Sequence, residues 1–492
     1  MSARLIKETR DLLPVFAGTL PLIVVTQLLW PPAGFSYLAL GVACLAMAGS
    51  SFGNEFQHRT LSLLLSQPIA RSVIWREKML VLGTGMVTSL IALLVSLVVS
   101  GAIPARVDWL TLALIPLCAF CGTPFWTLLL RHGIGGMVFA VGAPCGILVV
   151  YAVVVEQLGG NEPDALVTAV LSLLFIYCAV VYWLGYAKFK RLEAVDSPSR
   201  NLSLPAGLEA IFVLPLTRIS SRFRGPFATL LKKEFRLQHT SFLLAGLFFL
   251  VAVAGFCLTR AYPRVAEGII GVDYIIFMLV LPFMAGAIAV ADEKGWEIMP
   301  WHLTLPPSAL QQWSAKMLAA LSTGLGLGLV LPFAMAVADA LLLGQVGPKT
   351  ALPSVPVITC WLLGALLATS LAVYAASFSS NSLRAILMAM GLVAAGGVVC
   401  WLAGSCAAHI EARWMVLRMY AAQDAMRQAP KLVAIGLLLV LCVAQALAWS
   451  NFRRSAAPAL EVVGQIAVLL LCAGFYTLIA VLATLGSRFF LG

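Results

Sequence analysis

Residues 54–80, NEFQHRTLSLLLSQPIARSVIWREKML, return without a gap at residues 292–318 as DEKGWEIMPWHLTLPPSALQQWSAKML. The offset is constant at 238 positions, so Glu55 falls on Glu293, Leu65 on Leu303, Pro68 on Pro306, Trp75 on Trp313, and Lys78-Met79-Leu80 on Lys316-Met317-Leu318. A repeat this specific marks two copies of one unit. Each copy lies between long apolar runs and reads as a polar elbow: a short helix, a proline break, then a second short helix leading into the next run. Proline removes a backbone donor and pushes its predecessor out of the helical region, which sets the bends at Gln67-Pro68 and Leu305-Pro306. Asn54 and Asp292 read as N-caps opening the elbows.

Outward from the elbows the chain is apolar. Of 492 residues 61% are hydrophobic and 11% charged, and the apolar residues come in blocks of roughly the 20 residues needed to cross a bilayer. The expected class is an all-α polytopic membrane protein. Spans are expected at about residues 12–30 (broken by Pro14 and Pro21), 35–52, 79–103, 109–130, 134–155 and 165–187 in a first half. A second half has them at about 241–258, 268–291, 317–343, 356–378, 383–408 and 432–449, and a thirteenth, at about 462–485, has no counterpart. The corresponding organisation is 1–190, first half; 191–225, cytoplasmic or interfacial linker; 226–455, second half; 456–492, extra C-terminal span. No cleavable leader is expected, because residues 1–18 mix charges and the following run is long enough to stay in the membrane.

A formal charge of +11 would suggest nucleic acid in a soluble chain. Here it sorts by membrane side: 23 of the 32 Lys and Arg fall on the elbow face and 9 on the other. By the positive-inside rule the elbows and the N-terminus are cytoplasmic, and no nucleic-acid partner is called for. All 11 Cys fall within apolar runs without paired loop spacing, so they read as small buried hydrophobes. The five His are scattered, and no metal site is signalled. Neither a G-x-x-x-x-G-K-[ST] loop nor a dinucleotide glycine motif occurs, so no enzyme activity is expected and any ATP and Mg must be bound by another chain.

Lys7-Glu8 with Arg10, ahead of the first span, is echoed by Lys233-Glu234 with Arg236 ahead of the seventh. The first elbow, with Glu55, Arg59-Thr60, Leu64-Leu65, Pro68, Arg71 and Lys78, resembles the loop of ABC-2 type transporter permeases. That family has an acid, a Gly-Thr pair, a Leu-Leu pair, a Pro with a nearby Arg, and a Lys before the third span. Arg59 stands where the family has Gly, and the second elbow keeps only Glu293, Leu303, Pro306 and Lys316, with Glu297-Ile298 in place of Arg59-Thr60. The resemblance implies two fused permease halves in a bacterial cytoplasmic (inner) membrane. It implies export or extrusion of a substrate driven by separate cytoplasmic ABC ATPase subunits, two copies, with room for a further subunit. Docking would fall to the elbows (Glu55, Arg59, Thr60, Pro68, Arg71, Lys78; Glu293, Glu297, Pro306, Lys316) and the amphipathic segments. Since the elbows differ, charge reversal at Glu55 or Arg59 should harm docking more than at Glu293 or Glu297.

Plainer roles stand beside these. Glu55 and Glu293 could contact the protein's own helices; the lysines and arginines could anchor to lipid headgroups; Trp75 and Trp313 read as interfacial belt residues. Asp273 and Asp339, in or near apolar runs, are candidates for a substrate or proton path. Two other functions stand as alternatives: an ion-coupled secondary transporter, which twelve spans in two halves also suit, and an ABC-associated immunity or sensor subunit that does not transport.

Overall fold

The computed structural model describes residues 3–29, 33–57, 60–100, 109–131, 133–158, 164–192, 225–259, 262–295, 307–342, 355–379, 381–414, 422–454 and 458–486. Among these there is no strand. Thirteen helical segments are long and apolar enough to cross a membrane, one for each expected run, and the chain is an all-α polytopic membrane protein. It divides into two compact units, Met1–Pro205 with Phe248–Asp273, and Ala206–Leu247 with Tyr274–Gly492.

Unit 1 contains α1 (Ala3–Leu29), α2 (Ala33–Gln57), the short α3 (Leu61–Leu65), α4 (Arg71–Val99), α5 (Trp109–Leu130), α6 (Gly133–Gln157) and α7 (Asp164–Arg191). Helix α2 is the hub, packed against α1, α4, α5 and α6. Small residues make this possible: a Cβ on Gly53 would lie 2.9 Å from the Gly133 Cα, so α2 and α6 approach backbone to backbone. The expected break of the first span is absent, since α1 runs unbroken through Pro14 and Pro21 and includes the charged segment ahead of the span. The N-cap reading of Asn54 also fails: Asn54 and Glu55 belong to the last turns of α2. The elbow keeps α3 and the bend before Pro68, but its second helix is the start of α4 rather than a separate element.

Unit 2 and the junction carry α8 (Pro226–Leu237), α9 (His239–Leu258), α10 (Pro263–Ile275), a π-helical turn π1 (Ile276–Val280), α11 (Leu281–Gly295), α12 (Ala309–Leu325), a second π-helical turn π2 (Gly326–Val330), α13 (Leu331–Leu342), α14 (Val355–Phe378), α15 (Ser382–Trp414), α16 (Ala422–Arg454) and α17 (Ala459–Gly486). Helix α11 has the place of α2, packed against α12, α14 and α15. Asp292 lies within it, so it too is no N-cap. Helix α12 does open on a cap: Ser308 and Gln311 form a reciprocal capping box. The pre-span segment is here a separate helix, α8, because the chain turns at Gln238, whose side-chain amide donates to the Ala285 carbonyl at 2.8 Å. Helices α15 and α16, 33 residues each, are about 50 Å long and so outrun a bilayer core of about 30 Å. Helix α17 packs on α15 and α16.

Candidate functional site

The two classes of charged residue that the sequence kept apart, elbow and pre-span, meet in the structure. In unit 1 Lys78 Nζ lies 2.7 Å from Glu8 and 3.3 Å from Glu55, and Lys7 lies 3.2 Å from the same Glu55 oxygen. In unit 2 Lys316 lies 3.0 Å from Glu234 and 2.8 Å from Glu293, while Lys233 lies 2.5 Å from Glu293 and 3.9 Å from Glu234. Both are closed groups of two carboxylates and two ammoniums. Each joins the segment ahead of its half's first span, the end of the second span and the start of the third. Lys78 is 1% exposed and Glu55 4%, so the protein's own helices take these charges.

Helix geometry explains why these residues need one another. Glu55 and Glu293 sit in the last turns of α2 and α11, the helix end whose dipole opposes a negative charge, and Lys78 and Lys316, the eighth residues of α4 and α12, face them. The partner cancels that cost. Each lysine also donates to a main-chain carbonyl at 3.1 Å, of Ser51 for Lys78 and of Ala289 for Lys316. Thr60 folds the elbow back by donating from its hydroxyl to the Glu55 carboxylate and from its amide to the Glu55 carbonyl. Lys78 further lies 5.5 Å from the centre of the Phe52 ring.

The acids of unit 2 differ. Burial opposes charge on both. At Glu293 the Lys316 ammonium and hydrogen bonds from Lys233 and Lys316 outweigh it and hold the carboxyl below its usual range. At Glu234 burial prevails over Lys316, and the Glu293 charge adds to it, so the carboxyl lies above its usual range.

Around the ion pairs the two units repeat again. Trp75, one turn before Lys78, packs its ring on Phe52, Tyr182, Tyr186 and Phe189 and is 2% exposed; Trp313 packs on Trp449 and Phe452. Neither is a belt residue, because each shares the inward face of its helix with the buried lysine. Lys190 lies over Tyr186 and Arg453 over Trp449. Arg71 donates to the Lys190 carbonyl, capping the end of α7 from the elbow.

Among the described residues of the first elbow, the tip is exposed: Leu63 is 68% exposed, and Ser66, Gln67 and Pro68 are exposed. Arg10 and Arg236 are exposed as well. Arg59, Glu297 and Pro306 lie outside the described residues, as does the side chain of Asp339 in α13. Asp273, on α10 just ahead of π1, is 1% exposed, and neither carboxylate oxygen has a hydrogen-bond partner among the described residues. Among those residues no three His, Cys, Asp or Glu are placed to hold a metal ion.

One network escaped the sequence reading. Lys294, beside Glu293, donates to the Ser377 carbonyl at the end of α14; Asn451 donates to the Ser377 hydroxyl at 3.0 Å and exchanges hydrogen bonds with Gln465 of α17 at 2.9 and 2.8 Å. Burial lowers Lys294 to about 8. The available signal was a lone Gln in the last apolar run. No protein-family model matches the chain, and neither a curated protein nor a solved structure matches it.

Proposed function

We propose that this chain is the membrane-spanning subunit of an ABC-2-like exporter in a bacterial cytoplasmic membrane, driven by two ATP-binding subunits that dock on its cytoplasmic elbows. The observation that carries the reading is the ion-pair cluster built twice at the same register. A transport protein without a phosphate-binding loop must receive work through a rigid contact. Lys78 and Lys316 each weld three helices at the elbow end, so a push on an elbow is passed to three elements instead of bending one. Their side chains transmit; the exposed tip at Leu63, Gln67 and Pro68 receives. Two such devices in one chain suit alternating access, in which each ATPase drives its own half between conformations.

The test is mild-detergent purification of the tagged chain from its native membrane, with mass spectrometry and an ATPase assay. An ATP-binding subunit should co-purify. It should be lost with Leu63→Arg or Gln67→Arg while the thermal stability of the chain is unchanged. Purification without any ATPase ends this reading.

Asp273 favours a second one. A buried carboxylate without a partner inside a span is the kind of group an ion-coupled transporter uses. Transport that continues without an ATPase, collapses with the proton gradient and is abolished by Asp273→Asn would establish it.

A further inference from the structure

Unit 1 holds a group of thiols that the ion-pair cluster does not use. Cys118 and Cys121 lie one turn apart in α5, and Cys178 lies in α7, which packs against α5. The Cys118 and Cys178 sulfurs are 3.7 Å apart, and Cys121 is also within hydrogen-bonding reach of Cys178. Cys121 and Cys178 are buried, Cys118 is half-buried, and all three are free thiols. A disulfide has its sulfurs about 2.05 Å apart, so closure of the Cys118–Cys178 pair needs a shift of under about 2 Å, within the reach of side-chain rotation and a slight approach of two adjacent helices.

Two chemistries suit such a pair. A soft cation on two thiolates would leave net negative charge inside an apolar span, which is costly. A disulfide is neutral there. Since the pair lies within the spans of α5 and α7, its oxidant must dissolve in the bilayer and accept two electrons and two protons. Quinones have that chemistry.

We infer that Cys118 and Cys178 are a redox pair, closed to a disulfide by a membrane-dissolved quinone. Two S–H bonds break and one S–S bond forms; two electrons and two protons pass to the quinone, which leaves as the hydroquinone. Half-buried Cys118 is the point of entry, and the product staples α5 to α7. Cys121 is a neighbour that the bond does not need.

The experiment uses the full chain in membranes, reduced beforehand and treated without oxygen with duroquinone, whose fully methylated ring cannot add to thiols. Residual thiols are then alkylated and mapped by mass spectrometry. Alkylation should be lost together at Cys118 and Cys178 and return after dithiothreitol. About one hydroquinone should form per chain above the Cys178→Ala background. The effect should survive Cys121→Ala and vanish in Cys118→Ala. The inference falls if both thiols remain alkylatable at quinone levels that oxidise free dithiothreitol, if Cys178 is found joined to Cys121 instead, or if wild type and Cys178→Ala reduce equal amounts of quinone.

Discussion

Lys78 and Lys316 occupy the same node of two separately built folds. Each pairs with a carboxylate of the pre-span helix and one of the preceding span, and each donates to a carbonyl 27 residues upstream at the same 3.1 Å. Most of the elbow residues around them differ between the two copies, yet the arrangement is the same in both units.

Removing either lysine takes the buried ammonium away from two carboxylates: Glu8 loses the partner described for it, while Glu55 keeps only the half-exposed Lys7, and Glu234 and Glu293 keep only the partly exposed Lys233. A buried ion pair adds little compared with an apolar replacement, but breaking one costs about 3–5 kcal/mol. Lys78→Met and Lys316→Met should therefore each lower the thermal midpoint in detergent strongly. The triple change Lys78→Met, Glu8→Gln, Glu55→Gln should recover more than half of the loss. If the triple variant is no more stable than Lys78→Met alone, the lysine is not there to neutralise those acids.

Unit 2 should carry opposed pH dependences. Glu234 lies above its usual value of 4.5, so between that value and its folded one the folded state holds a proton the unfolded chain has lost, and stability falls as pH rises. Glu293 lies below 4.5; its contribution is full above that value and is lost as pH falls through the folded one. Unfolding midpoints across mildly acidic pH should show the fall above 4.5 in wild type and its absence in Glu234→Gln. A Glu234→Gln profile parallel to wild type would contradict the assignment.

Lys294 gives a third window. Its folded value of about 8 lies below the usual 10.5 because burial disfavours the ammonium. Between about 8 and 10.5 the unfolded chain binds the proton and the folded chain does not, so stability rises with pH over that interval. Lys294→Met should remove the rise, seen as a flat unfolding midpoint where wild type climbs.

The spans were legible from the apolar runs along the chain, and the repeat with four of the clustered charges, Glu55, Lys78, Glu293 and Lys316, from residues 54–80 and 292–318, because apolar run length and an ungapped register are local properties. What Glu55 and Lys78 face was not. Glu8 and Lys78 are 70 positions apart, and only the packing of α1 on α4 makes them partners. The same limit hid the burial of Trp75, whose type suits an interface as well as a core. Asn54 misled because a good N-cap residue near a polar stretch has the same appearance at either end of a helix.

Asn451 and Gln465 are an amide pair tying α17 to α16. Asn451→Ala leaves the buried Gln465 amide only its longer 3.4 Å bonds with Tyr374 and Glu461, at a cost of about 1–3 kcal/mol, whereas Asn451→Leu with Gln465→Leu removes both amides. A double-mutant cycle by thermal unfolding should give a coupling of about 0.5–3 kcal/mol. A coupling near zero would mean that α17 is held by its apolar contacts alone.

Gly286 sets how closely α11 can approach α14. A Cβ there would lie 2.3 Å from the Thr369 carbonyl oxygen and 2.8 Å from the Ala372 Cβ. Backbone cannot rotate away, so Gly286→Ala must push the helices apart, at a cost of about 1–3 kcal/mol for overpacking. Gly364, also helical, has nothing within 4 Å of its virtual Cβ, and Gly364→Ala should be neutral or slightly stabilising through helix propensity. Because α11 also carries Glu293, the Gly286 variant should weaken the pairing with Lys316, read as a shift in the acid limb of the unfolding profile. The Gly364 variant should leave that limb unchanged. Equal effects from the two glycines would place the constraint elsewhere than in the contact with Thr369.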